Sequence, residues 1–117
     1  MHAGEAWIVD AAGCDPERLR SPEALAGLFD ALVRDLRLRP LGPAAWHRFP
    51  GPGGVTGFLL LTESHLACHT YPETGFAALD LYCCRSLAPF PWEEVLRRHL
   101  GARAVHLRRL PRGEGAS

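Results

Sequence analysis

The chain has 117 residues, 47% of them hydrophobic, and its 13 basic and 13 acidic side chains leave a formal net charge of zero. That is one domain's worth of sequence with enough apolar material for a core. The balanced charge argues against a nucleic-acid groove, no apolar run approaches the ~20 residues of a membrane span, and the absence of lysine, asparagine and glutamine excludes a lysine-bound pyridoxal phosphate, a Schiff-base aldolase, a P-loop and a Cys-His-Asn triad.

Residues 6–12 read as a first strand, closed by Gly13-Cys14-Asp15-Pro16. The N-terminal segment lacks the basic and apolar regions of a signal peptide. The four cysteines, at 14, 68, 83 and 84, show no secretory disulfide pattern, so a cytoplasmic protein with reduced thiols is expected. Ser21-Pro22-Glu23 has the order N-cap, first-turn proline, first-turn acid. Leu25, Leu28, Phe29, Leu32, Val33 and Leu36 follow at helical spacing, which predicts a helix to about Leu38 that stops before Pro40. Pro50 to Gly54 is a loop by composition. Val55 to Leu61 reads as a continuous apolar strand, expected to be covered on both faces. A tight turn around Thr62-Glu63-Ser64 leads into a strand from His65 to Thr70, and a turn over 71–75 leads into a third, Phe76 to Cys84. Pro91 opens a second helix that Gly101 ends. Ala104 to Leu110 is a last strand, and the tail from Pro111 to Ser117 is expected to be mobile. The sum is an α+β fold in one domain spanning 1–117: a two-layer sandwich, an antiparallel sheet with two helices on one face, in the order β-α-β-β-β-α-β.

Such a sheet leaves its other face open, and the two-residue period of a strand assigns it. Leu66, Cys68, Ala77, Leu79, Leu81 and Cys83 take the core side, while His65, His69, Asp80, Tyr82 and Cys84 gather on the open side. That face is a functional site, a dimer interface, or both. The same parity argues against a metal centre, because Cys68 and Cys83 fall on the wrong face, no C-x-x-C occurs, and the four-residue spacing of His65 and His69 falls on a strand and not on a helix. A pairing of Cys84 with His69 as nucleophile and base is an alternative use of the open face.

The segment Glu63-Ser64-His65-Leu66-Ala67-Cys68-His69-Thr70-Tyr71-Pro72-Glu73 resembles the Glu-Ser-His…His-Thr-Trp-Pro-Glu hallmark of bacterial and archaeal S-adenosylmethionine decarboxylase proenzymes. Gly75-Phe76-Ala77-Ala78-Leu79-Asp80-Leu81-Tyr82-Cys83-Cys84 is similar to the family's Gly-Tyr-Ala-Ala-x-Asp-x-x-x-Cys, and His47-Arg48-Phe49 and Gly54-Val55-Thr56-Gly57 are similar to its upstream motifs. The resemblance implies self-processing: Ser64 attacks the carbonyl of Glu63, and β-elimination then cuts the chain into residues 1–63 and 64–117. The cofactor is thereby a pyruvoyl group generated from Ser64, which forms a Schiff base with the substrate amine in place of pyridoxal phosphate. A strained turn at Ser64 would favour the first step.

By the same resemblance His69 assists processing, Thr56 takes the place of a serine that polarises the scissile region, and Cys84 is the acid that reprotonates the α-carbon after CO2 leaves. Glu73 binds ribose hydroxyls and Phe49 stacks on adenine. A homodimer that pools residues from both chains is implied, with a small-molecule substrate and neither nucleic acid nor membrane as partner. Tyr71 replaces the usual tryptophan, and Arg85 follows Cys84 where the family has glycine. Some relatives decarboxylate arginine or ornithine, and for such a substrate Asp10 and Asp80 are the candidate acids. An uncleaved binding or regulatory relative is the remaining alternative.

Overall fold

In the computed structural model, which describes residues 4–85 and 87–113, the chain runs β1 (Glu5–Ala12), α1 (Pro16–Leu19), α2 (Pro22–Asp35), β2 (Ala45–Arg48), β3 (Val55–Leu60), β4 (His65–Tyr71), β5 (Phe76–Cys83), α3 (Trp92–Leu100) and β6 (Ala104–Pro111). The strands form one antiparallel sheet ordered β2-β3-β4-β5-β1-β6. Its core is the layer between this sheet and the helices: Trp7, Val9, Leu66, Cys68, Leu79 and Leu81 from the strands meet Leu25, Leu28, Leu32, Leu96 and Leu100 from α2 and α3. Burying these apolar side chains on one side of each strand is what holds the layers together.

Local sequence explains the helices. Ser21 accepts a hydrogen bond from the Ala24 amide at 3.0 Å, with Pro22 and Glu23 in the first turn. Gly101 takes the left-handed conformation (φ 68°) that ends α3. The first long helix stops at Asp35 rather than Leu38, because Arg37 turns left-handed (φ 55°). The hydrogen bonds from Leu38 N to Val33 O (2.9 Å) and from Arg37 N to Arg34 O (3.4 Å) then close its end.

Several expectations need correction. The short α1 forms because Asp15 caps it and Pro16 opens it; both residues had been assigned to a turn. A sixth strand, β2, pairs with β3 along the sheet edge. The β3 strand is covered on one face only: Val55, Gly57 and Leu59 are buried, whereas Phe58 and Leu60 are 42% and 53% exposed. Its unbroken apolar run therefore reflects an open face that is itself apolar, not a second covering layer. The C-terminal strand extends through Pro111, paired with Glu5, and Arg112 N donates to Gly4 O at 2.9 Å. Pro111, expected to open a mobile tail, is thus part of the sheet, and residues 114–117 of that expected tail lie outside the described residues. Among the described residues no helix is long and apolar enough to cross a membrane.

Candidate active site

Register arranges the open face in transverse rows. His47, Thr56, His69, Ala78, Asp10 and His106 make one; Ala45, Phe58, Ala67, Asp80, Ile8 and Arg108 make the next; Leu60, His65, Tyr82, Ala6 and Leu110 make the third. The strand parity read from sequence thus places His65, His69, Asp80 and Tyr82 on this face as expected. Phe58 stacks on His65 (5.8 Å between centroids), and His65 lies 6.0 Å from Tyr82.

At one end of the face sits the β3–β4 hairpin. Leu61 N donates to Ser64 O at 3.0 Å, which closes a connection of only two residues, Thr62 and Glu63. Neither of these has a positive φ, so the turn is made without the left-handed residues such connections usually recruit. The expected tightness is present, and strain of that kind is not. Ser64 is half-buried and Glu63 exposed. Cys84, one residue past the end of β5, donates its thiol to the Glu63 carboxylate. That acceptor, with its negative charge, holds the thiol above its ordinary pKa. A cavity of about 350 Å³ adjoins this end, lined by Glu63, Ser64, Cys83 and the guanidinium-bearing Arg37, Arg39 and Arg85.

The opposite end holds a different set. Thr56 Oγ1 and His69 Nδ1 share a hydrogen bond of 3.1 Å across β3 and β4. Phe49, whose amide donates to Gly54 O at 2.8 Å, is held at the mouth of the 50–54 loop, edge-on to His47. Thr56, His69, Phe49, Tyr71 and Glu73 line one cavity of about 410 Å³. An exposed aromatic ring and a carboxylate across a cavity of this size suit a flat heterocycle joined to a diol.

Ser64, immediately before β4, and His69 within it are five residues apart, about 17 Å at the rise of a strand. Within one chain the serine, Glu63 and Cys84 are therefore remote from Thr56, His69, Phe49 and Glu73. The Cys84–His69 pairing considered from sequence does not occur in a single chain, because each residue has its partner at its own end. Asp10, 3.9 Å from Arg108, lies in the row of Thr56 and His69 and Asp80 in the row between the ends, and neither lines either cavity. Arg37 and Arg39 were missed as site residues. They follow the last apolar position of the helix pattern, which marks them only as a C-terminal turn; nothing local shows that the chain folds them over Ser64.

Residues 5–113 match the model of the family described as S-adenosylmethionine decarboxylase. The chain is similar to the S-adenosylmethionine decarboxylase proenzyme of Anoxybacillus flavithermus, 35% identical over 96% of this chain and 89% of that one. It is also similar to that of Pyrococcus furiosus, 34% identical over 94% and 78%. The crystal structure of the adenosylmethionine decarboxylase from Aquifex aeolicus superposes with a TM-score of 0.78 at 25% identity, covering 99% of this chain and 97% of that chain.

Proposed function

The chain belongs to the S-adenosylmethionine decarboxylase family, and on that premise we propose that it makes its prosthetic group from its own Ser64 and works as a pair of chains with two composite active sites. Its reaction removes the carboxyl group of S-adenosylmethionine as CO2 and leaves S-adenosylmethioninamine, a step of polyamine synthesis.

The bonds that processing makes and breaks all lie in the hairpin. Ser64 Oγ attacks the carbonyl carbon of Glu63 and the peptide C–N bond breaks, so an ester replaces the amide and the nitrogen of residue 64 becomes a free amine. Loss of the α-proton of residue 64 breaks the Cβ–O bond, whose electron pair leaves with the Glu63 carboxylate. The resulting dehydroalanine shifts to an imine, water adds, ammonia departs, and a pyruvoyl group heads the 64–117 chain. The position suits this group: Ser64 is half-buried at the exit of the turn and borders a cavity. Once formed, its carbonyl supplies an acceptor for the substrate amine and a sink for the electrons released with CO2.

The remaining roles are those the family resemblance implies, and the arrangement of two half-sites supports them. Phe49 stacks on the adenine and Glu73 accepts hydrogen bonds from the ribose hydroxyls. Thr56 and His69, joined at 3.1 Å, orient and transfer protons near the scissile region. Cys84, kept protonated beside Glu63, is the proton donor to the α-carbon. Two open faces stacked about a twofold axis that crosses the strands at the level of Ala67 reverse the strand direction. Ser64 and Cys84 of one chain then lie over Thr56, His69, Phe49 and Glu73 of the other. Such stacking also covers the exposed Phe58, Leu60 and Leu110.

The observation that carries this reading is the division of the family's functional residues between opposite ends of one open, partly apolar face. Intact-mass spectrometry of the purified protein, with a CO2-release assay on S-adenosylmethionine, arginine and ornithine, tests it. Two chains split between Glu63 and Ser64, active on S-adenosylmethionine, are expected, and Ser64→Ala is expected to leave one chain. A single uncleaved chain from the wild type, or cleavage that persists in Ser64→Ala, would overturn the proposed processing; CO2 released from arginine or ornithine alone would move the substrate assignment.

A further inference from the structure

Three arginines crowd the cavity at Ser64, and among the described residues none of them forms an ion pair. Each is held there by backbone geometry. Arg37 occupies the left-handed position after α2 (φ 55°), where glycine is the unstrained choice. Arg39 O accepts from Thr62 N at 2.9 Å, so the 39–40 segment is laced to the approach to the hairpin, next to the bridge between Pro40 and Leu61. The Arg85 guanidinium donates to Leu36 O (3.2 Å) and Arg37 O (3.1 Å). Facing these three cations, Glu63 is the one acid that lines the cavity among the described residues. Like charges concentrated around a cavity call for an anion.

The chain itself generates one. Resting on the self-processing proposed above, we propose that Arg37, Arg39 and Arg85 form the receptor for the carboxylate that cleavage creates at Glu63. The break adds a second negative charge to a residue already in the cavity. The bonds at Leu61 and Thr62 tether everything before it, so the new terminus stays within one residue's reach, about 3.5 Å, of the tethered Thr62. Guanidinium groups bind carboxylates through paired N–H donors. The same carboxylate is the leaving group of the elimination, so the cluster both stabilises its departure and turns the cut end away from the carbonyl formed at position 64.

Native carboxypeptidase digestion of the cleaved protein, read by intact mass, tests this. The 1–63 chain of the wild type is expected to keep Glu63, Arg39→Gln and Arg85→Gln to lose it at least tenfold faster, and Arg39→Lys to fall between. In an uncleaved Ser64→Ala background Arg39→Gln is expected to melt with its parent and Arg85→Gln to lose only the stability of its bonds to Leu36 O and Arg37 O, whereas in cleaved protein both lower the midpoint further. A Gln variant that folds but cleaves tenfold more slowly also supports the receptor, through the leaving group. Equal trimming in wild type and variants, or equal loss of melting temperature cleaved and uncleaved, overturns it and leaves the processing reading intact. A wild type that never cleaves removes both.

Discussion

At the scale of single residues, the four thiols divide by environment. Burial pushes Cys68 up to about 12 and Cys14 up to about 11, while exposed Cys84 is raised by the Glu63 carboxylate it donates to. Cys84 is therefore expected to alkylate first with iodoacetamide near pH 8. In uncleaved Ser64→Ala protein, Glu63→Gln removes the charge that disfavours the thiolate, so the alkylation midpoint of Cys84 should move to lower pH; an unmoved midpoint would mean the carboxylate does not control it. Cys84→Ala is expected to cleave normally and lose about 10²-fold or more in kcat, the usual size of a general-acid contribution. Strand alternation made the buried positions of Cys68 and Cys83 legible in sequence. It did not reveal the Glu63–Cys84 contact, because Cys84 lies beyond β5, where the two-residue period no longer applies.

Among the elements, the edges of the sheet depend on single side chains. At one edge, Glu5 accepts from Trp7 Nε1 (2.9 Å) and Arg109 (2.5 Å), and the Arg109 guanidinium lies 4.8 Å over the Trp7 ring, binding β6 to β1. The Arg109 hydrogen bond, ahead of opposing desolvation, holds the Glu5 carboxyl below the usual carboxylate range. A lowered folded-state pKa contributes stability that is complete above about pH 4.5 and fades as pH falls through the folded value. Arg109→Ala should thus cost about 1–2 kcal/mol at neutral pH, the lower part of the range for charged hydrogen bonds because the guanidinium is 36% exposed. Chemical denaturation should find that cost shrinking below pH 4. At the other edge, a Cβ on Gly57 would come within 2.2 Å of the Trp46 ring, which itself packs on Phe29 at 4.9 Å. This close approach, which admits only glycine, holds the four-residue β2. Its alternation was too short and too exposed to be read as a strand.

For the whole molecule, two half-sites at opposite ends of a face predict complementation between chains. Co-expressed Cys84→Ala and Glu73→Ala chains, each poorly active alone, should recover about a quarter of wild-type activity, since half of the randomly assembled pairs carry one intact composite site of two. Recovery absent from a verified mixed dimer would place the whole site within one chain. The family motifs marked the candidate residues in the sequence. Only the fold showed that Ser64 and His69, five positions apart in sequence, stand about 17 Å apart.

The amino-acid sequence by itself determined the layers, the face each strand residue takes, the starts of the two longer helices and the motifs that mark the family. These depend on short-range periodicity, on capping and on a dense motif. The tertiary structure alone decided which residues meet. It brought a helix end, a linker and the residue after β5 together as three arginines around one serine, and it separated the serine from the histidine. Contacts between distant segments are set by register and layer packing, and no spacing along the chain encodes them.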